Sequence, residues 1–440
     1  MPITRTFTRP RKTVAGAAML ACTALALASC GGDDGDSAGG SSDTLRLWHY
    51  EGQNSAMGIA WDEAIRIFEE ETGATVEFEE KGFEQIRQTA NMVLNSDQAP
   101  DLMEYNKGNA SAGLLASQGL LTDISDAAAE YGWDGMLSES LQTTARYDEN
   151  GVMGSGPWYG VPNYGEFVMF YYNKDMFAEY GIEVPKTFDD LVAAMDAFVA
   201  EGVTPLAMSG AEYPAGQLFY ELALSQADRQ FVDDYQVYEN PVDFGGPELS
   251  YAAKTFDEWV KAGYVSGDSA SLKAEDMGTG FIGGEFPMVY SGSWWYGRFT
   301  DEISDFEWST FAFPGSDLHP GSSGNLWVVP TASDNKELAY EFIDITMRPE
   351  IQALLGNNGG VPVAADPADI KDEKSKELIS LFNEINEADG LAFYPDWPVA
   401  GYYDTIVGAL QQLINQSASP DEVLQQLQGP YEDGVAEITG

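Results

Sequence analysis

The chain has 440 residues, with 71 Asp plus Glu against 22 Lys plus Arg and a formal net charge of −49. A surface so acidic repels nucleic acid phosphates and anionic headgroups, which excludes both as ligands. Only two histidines occur, His49 and His319, away from metal-ligand spacing, and two cysteines give no basis for zinc, iron–sulfur or thiol catalysis.

The first element is a leader. Arg5, Arg9, Arg11 and Lys12 precede an apolar run from Val14 to Ala28, the layout of an export signal. The run falls short of the about 20 apolar residues that a bilayer span needs. The ending Leu27-Ala28-Ser29-Cys30 resembles the lipobox of bacterial lipoproteins. That resemblance implies cleavage after residue 29 and a lipid on Cys30; the alternative is an ordinary secretory signal with an incidental cysteine. Residues 30–42 are Gly, Ser and Asp in the main and read as a flexible tether. Loss of residues 1–29 removes Cys22, four cations and no acid, so the net charge of −49 becomes −53. A single remaining cysteine allows no disulfide within the chain, and stability must come from burial. The 411 residues that remain suffice for two domains with sizeable cores.

Beyond the tether, Leu45 to Tyr50 alternates as a strand, and Gly58 to Glu71 has a helical apolar face that stops at Gly73. Strands at 75–78 and 100–105 and helices at 83–94 and 110–117 come next. This alternation predicts an α/β fold with parallel crossovers. An aromatic stretch from Gly154 to Tyr172 reads as irregular. Thr187 caps a helix over 188–201 with Asp189 and Asp190 in its first turn. Further helices are expected at 216–226, 249–262 and 335–347, the last stopped by Pro349, and three more in the tail from Lys374. Strands are expected at 286–290, 306–313 and 324–330.

No Gly-x-Ser-x-Gly elbow, phosphate loop or calcium loop is present. Carboxylates are so numerous that a glycosidase pair is not excluded by counting. The order and spacing of several segments carry more information. Tyr172-Asn173-Lys174-Asp175-Met176-Phe177, Thr187-Phe188-Asp189-Asp190-Leu191, Gly202-Val203-Thr204-Pro205-Leu206, Phe281-Ile282-Gly283-Gly284-Glu285-Phe286-Pro287-Met288, Gly292-Ser293-Trp294, Asn335 to Ile343 and Gly360-Val361-Pro362-Val363 span most of residues 45–440. Together they resemble the extracellular solute-binding proteins of ABC importers, in the sugar-binding branch that includes maltose-binding protein.

The resemblance implies a two-lobed α/β fold with a hinge and an interlobe cleft. Lobe one would hold 43–163 and 318–349; lobe two would hold 164–317 and 350–440. It also implies a sugar or polyol ligand, no cofactor, no enzymatic step, a permease with its ATPase as partners, a membrane attachment through Cys30, and a monomer. A sugar presents C–H faces that rings cover and hydroxyls that amides and carboxylates bind, so the site should mix both kinds of side chain.

Tyr50 and Glu51 end the first strand, and Tyr105 with Asn106 end the third, where open α/β sheets hold ligands. Asn325 precedes a core strand, and Gly324 beside it would let the backbone approach a ligand. The resemblance adds Glu166 as a cleft carboxylate, Tyr213 and one of Trp294 and Trp295 (Trp294 in preference) as stacking rings, and Asp396 with Trp397 as late contacts. Two other readings stay open: a secreted carbohydrate-active hydrolase, and a binding protein of the same fold for a cation such as a polyamine.

Overall fold

The computed structural model describes residues 43–440, so the leader, Cys30 and the tether lie outside the described residues. Twelve strands form among these residues: β1 Thr44–His49, β2 Thr75–Glu80, β3 Leu102–Tyr105, β4 Arg146–Tyr147, β5 Met153–Trp158, β6 Val161–Pro162, β7 Gly165–Asn173, β8 Leu206–Ala207, β9 Met288–Gly292, β10 Trp308–Phe311, β11 Gly321–Ser323 and β12 Leu326–Val328. They build two five-stranded sheets and a hairpin of β4 with β5.

The first sheet runs β2-β1-β3-β12-β6. β1 pairs in parallel with both β2 and β3, as the alternation of strand and helix predicts. The crossover helices are Ala56–Thr72 and Phe83–Leu94. The first begins where the Ser55 hydroxyl accepts the Gly58 N–H, and ends at Gly73 in the left-handed region at φ 72°. The second sheet runs β10-β7-β9-β8, with β11 also on β7. The molecule is thus a two-lobed α/β fold, each lobe built on its own sheet.

Three expectations change. The stretch read as irregular contains β7, in which all nine residues are buried. A strand covered on both faces shows no apolar–polar alternation, so its periodicity is silent. The helix expected over 335–347 does end before Pro349, as Lys336–Thr346, but Pro349 also opens an unexpected helix, Pro349–Asn357, at a first-turn position where its missing N–H costs nothing. The helix expected over 110–117 begins instead as a π-helical turn, Asn109–Gly113, before Leu114–Ser117. Its Asn109 donates to the Gln236 carbonyl at 2.7 Å and the Tyr238 hydroxyl at 2.8 Å, and the Ala110 N–H donates to the Trp397 carbonyl at 2.8 Å.

Register brings distant residues to one edge. In β12, antiparallel to β3, Leu326 lies opposite Tyr105, so Asn325 and Asn106 leave their strands side by side. In β7, antiparallel to β9, Val168 lies opposite Gly292, so Glu166 lies near the turn that carries Ser293 and Trp294. The C-terminal ends of β1, β3 and β9 therefore converge on one cavity.

Candidate functional site

The cavity has a volume of about 230 Å³. Nine of the residues expected from the sequence line it: Tyr50, Glu51, Asn106, Glu166, Tyr213, Trp294, Asn325, Asp396 and Trp397. Three do not. Tyr105 is buried in the core beneath the first sheet. Gly324 is not open to a ligand, because a Cβ there would meet the Tyr164 ring; the glycine makes room for that tyrosine. Trp295 stacks on Phe299 with ring centroids 5.3 Å apart and lies against Gly278, so its indole belongs to a wall rather than to this cavity.

Trp294 owes its position to Gly292. Any Cβ at 292 would collide with the indole, which folds back over the backbone at the end of β9. The Trp294 Nε1–H donates to the Tyr213 hydroxyl at 3.2 Å, and the two rings meet edge to face at 5.5 Å. Gly108, at φ 91°, performs the same service for Trp397, whose ring lies over it. Tyr394 and Trp397 are 5.2 Å apart.

Lys107, Phe83, Tyr164, Gln217, Tyr394 and Tyr403 also line the cavity and were not singled out in the sequence. Lys107 matters most. Its ammonium is buried and bonded to Glu166, and lies 5.6 Å from the Tyr394 ring centre and 5.4 Å from that of Trp397. It also reaches Asn325 Oδ1 at 3.4 Å. Tyr164 donates its hydroxyl to the other Glu166 oxygen at 3.3 Å and accepts from Asn325 Nδ2 at 2.6 Å. Glu166 is therefore a paired, hydrogen-bonded anion and not a free acid. No signal in the chain marks Lys107, which stands in sequence like any surface lysine after a strand.

The remaining acids are held toward their neutral forms. Burial and the nearby Glu104 push the Glu51 carboxyl well above its usual range. Burial raises Asp396 to about 6 and Glu104, behind the cavity, to about 7. Among the buried polar atoms of the lining, the Tyr50 hydroxyl, Gln217 Oε1 and the Tyr394 hydroxyl have no hydrogen-bond partner within bonding geometry. Groups of this kind are costly unless something else completes them. At the mouth, Arg87 of the helix Phe83–Leu94 lies 4.2 Å over the Tyr403 ring and bonds Asp404 and Glu84, each at 2.9 Å. Tyr403 donates to Glu84 at 2.8 Å.

A cavity of rings, amides and buried acids between two α/β lobes defines a binding protein for a small polar ligand. The chain belongs to the bacterial extracellular solute-binding protein family, whose model matches residues 51–353. It is 26% identical over 285 residues to a probable sugar-binding periplasmic protein of Mesorhizobium japonicum, covering 63% of this chain and 66% of that one. A similar protein of Rhizobium meliloti is matched over 60% of its length, so the chain spans less than two thirds of these curated relatives. A maltooligosaccharide ABC transporter solute-binding lipoprotein of Streptococcus pneumoniae is 25% identical over 384 residues, 83% of each chain. Among solved structures, a chitin oligosaccharide binding protein superposes with a TM-score of 0.77 at 22% identity, covering 90% of this chain and 99% of that one. RafE in complex with raffinose gives 0.71 at 20% identity, covering 89% and 99%. These structures share the fold.

Proposed function

We propose that this chain is the substrate-binding subunit of an ABC importer, capturing a neutral sugar between its lobes and delivering it to the permease and its ATPase without breaking a bond in it. One observation carries the reading: Trp294, Tyr213 and Trp397 share a cavity with the unpartnered Tyr50 hydroxyl and Gln217 Oε1. Rings cover the C–H faces of a pyranose, and the open polar atoms take up its hydroxyls. The sugar-binding names of the relatives support the same class of ligand.

We draw lobe one around the first sheet and lobe two around the second, with chain crossings between β6 and β7, between β11 and β12, and after the helix Pro349–Asn357. Pairing of β11 with β7 supports starting the second segment of lobe one after β11 rather than at residue 318. The packing of the helix Pro349–Asn357 on Ala56–Thr72 supports keeping that helix with lobe one rather than beginning lobe two at residue 350. The subunit acts as a monomer, tethered through a lipid on Cys30 to the outer face of the membrane.

Glu166 is already paired with Lys107, which withdraws one of the three lining carboxyls from a cationic ligand. A hydrolase needs a free acid–base pair flanking one bond; Glu166 is already engaged by Lys107 and Tyr164, so that reading would have to rest on Glu51 and Asp396. Thermal melts with neutral sugars test the proposal. A rise in melting temperature without product release supports capture. Reducing sugar released from a glycoside would favour the hydrolase, and a shift with polyamines alone would favour the cation binder.

A further inference from the structure

Tyr213, Gln217 and Glu221 stand four residues apart on the helix Tyr213–Leu224 and so share one face. The first two line the cavity; Glu221 lies behind it, fully buried. The Tyr290 hydroxyl donates to Glu221 at 2.6 Å, and His319 Nδ1 lies 3.2 and 3.3 Å from its two oxygens. Both partners are buried, and each comes from a segment tied to a ring of the cavity. Tyr290 belongs to β9, which leads to Trp294. His319 exchanges backbone hydrogen bonds with Gly390 and Ala392, at 2.8 and 2.9 Å, in the segment that leads to Tyr394 and Trp397. The chain segments that carry the cavity's rings are therefore fastened at one buried point. Resting on the sugar-binding reading, we infer that His319 is a positioning residue: while protonated it clamps these segments through Glu221, and loss of its proton slackens the rings and weakens sugar binding.

Burial disfavours the imidazolium, but the charge and hydrogen bond of Glu221, with the charge of Asp317, outweigh it and hold the ring above its ordinary range. The folded chain thus keeps a proton that an unfolded one gives up near pH 6.5 (about 6.5 for free histidine). Its stabilising contribution is complete below that value and is lost as pH climbs through the folded one. Once the proton leaves, the Glu221 anion is buried without a countercharge, which is costly. The groups packed around the cluster supply no substitute. Its own segment brings the exposed acid Asp317, β7 brings the Phe170 ring against Tyr290, and the paired segment brings Tyr394. Arg229 of the helix Arg229–Val237 is the cation on that side. It is occupied by Asp389 at 3.2 Å and by the Leu391 carbonyl at 3.0 Å.

His49 and His319 are the two histidines of the chain, and burial lowers His49 to about 3. A single imidazole therefore titrates above about pH 5, and magnetic resonance of the full chain can follow it. The Trp294 indole N–H signal, assigned with Trp294→Phe, should shift with the His319 midpoint, and His319→Gln should abolish that shift. Asp396 at about 6 and Glu104 at about 7 remain in the variant, so their titrations cancel in the comparison. Calorimetry with glucose, galactose, xylose, N-acetylglucosamine and maltotriose then reads binding. From about pH 6 to about pH 9 the sugar that binds best should lose about threefold or more in affinity, and by reciprocity should raise the His319 midpoint by about half a pH unit. In His319→Gln this dependence should shrink, with affinity at the lower pH reduced by a similar factor. If that variant does not fold, the native titrations with and without sugar decide alone. An indole signal that ignores the His319 titration, or a variant that keeps the native pH profile, overturns the inference while the sugar reading stands. If none of the sugars binds, the sugar reading falls, and the indole titration still decides whether the cluster positions the ring.

Discussion

The cavity has two walls of different chemistry. The wall at the ends of the first sheet's strands brings Glu51, Asn106, Lys107 and Asn325, with Tyr50 and Phe83 beside them. The wall from the helix Tyr213–Leu224, the turn after β9 and the segment 394–403 brings five rings, Tyr213, Trp294, Tyr394, Trp397 and Tyr403, with Gln217 and Asp396 between them. Polar groups at strand ends are aimed by the sheet register, which fixes their direction. Rings need a surface to lie on, and Gly108 and Gly292 supply it by withholding a side chain. The contrast separates groups whose hydrogen bonding depends on direction from rings that offer area.

Removing the partner of Lys107, on the polar wall, should have the largest effect. Glu166→Ala leaves the Lys107 ammonium buried without its partner and should cost about 3–5 kcal/mol of stability in urea unfolding. Replacing both groups by apolar ones, Lys107→Met with Glu166→Leu, should recover most of that loss. A double variant no more stable than the single would show that the pair contributes more than mutual neutralisation.

On the ring wall, the effect should fall on binding instead. Trp294→Ala should weaken sugar binding by about 10- to 100-fold while the ligand-free melt moves little, since the indole is only half-buried. Unchanged affinity in titration would mean that another ring does the stacking.

A pH series sharpens the comparison further. The Asp396 carboxyl, raised to about 6 by burial, titrates near 4 in an unfolded chain (about 3.9). Between these values the folded protein keeps a proton that the unfolded chain has lost. Its stabilising contribution is complete below about pH 4 and disappears as pH climbs through about 6. Asp396→Asn cannot ionise, so its melting temperature should gain on the native chain across that window and then hold a constant lead. A lead that does not vary with pH would show that Asp396 is ionised throughout.

The smallest effect belongs to the contact that joins the walls at the mouth. Arg87→Ala removes the bonds to Asp404 and Glu84 and the packing on Tyr403. Much of this cluster meets solvent, so the loss should be about 0.5–1 kcal/mol, read as a few-fold drop in affinity that shrinks as salt is added.

Legibility from sequence obeyed the same division. Strands with one free face and helices with one apolar face showed themselves: β1, β2 and the helices at 83–94 and 188–200 stand within a few residues of expectation. β7 did not, because burial on both faces erases the pattern that reveals a strand. The cavity-lining groups at strand ends, Tyr50, Glu51 and Asn106, came from chain direction alone, and the rings Trp294 and Trp397 from family resemblance. Lys107 was hidden because its partner Glu166 lies 59 residues away and only the meeting of two sheets buries both. Tyr105 misled for a related reason. As the last residue of β3 it points into the core, and its neighbour Asn106 turns to the cavity.

The π-helical turn at Asn109–Gly113 has a mechanical consequence. It comes directly after Asn106 and Lys107, yet it is fastened to Gln236, Tyr238 and Trp397 of the opposite half. Spreading the halves must therefore snap these three ties or drag the turn along, and either course shifts the amide and the ammonium next to it. Unloading would then dismantle part of the grip itself, so that cargo is let go by loss of alignment as well as by widening of the exit.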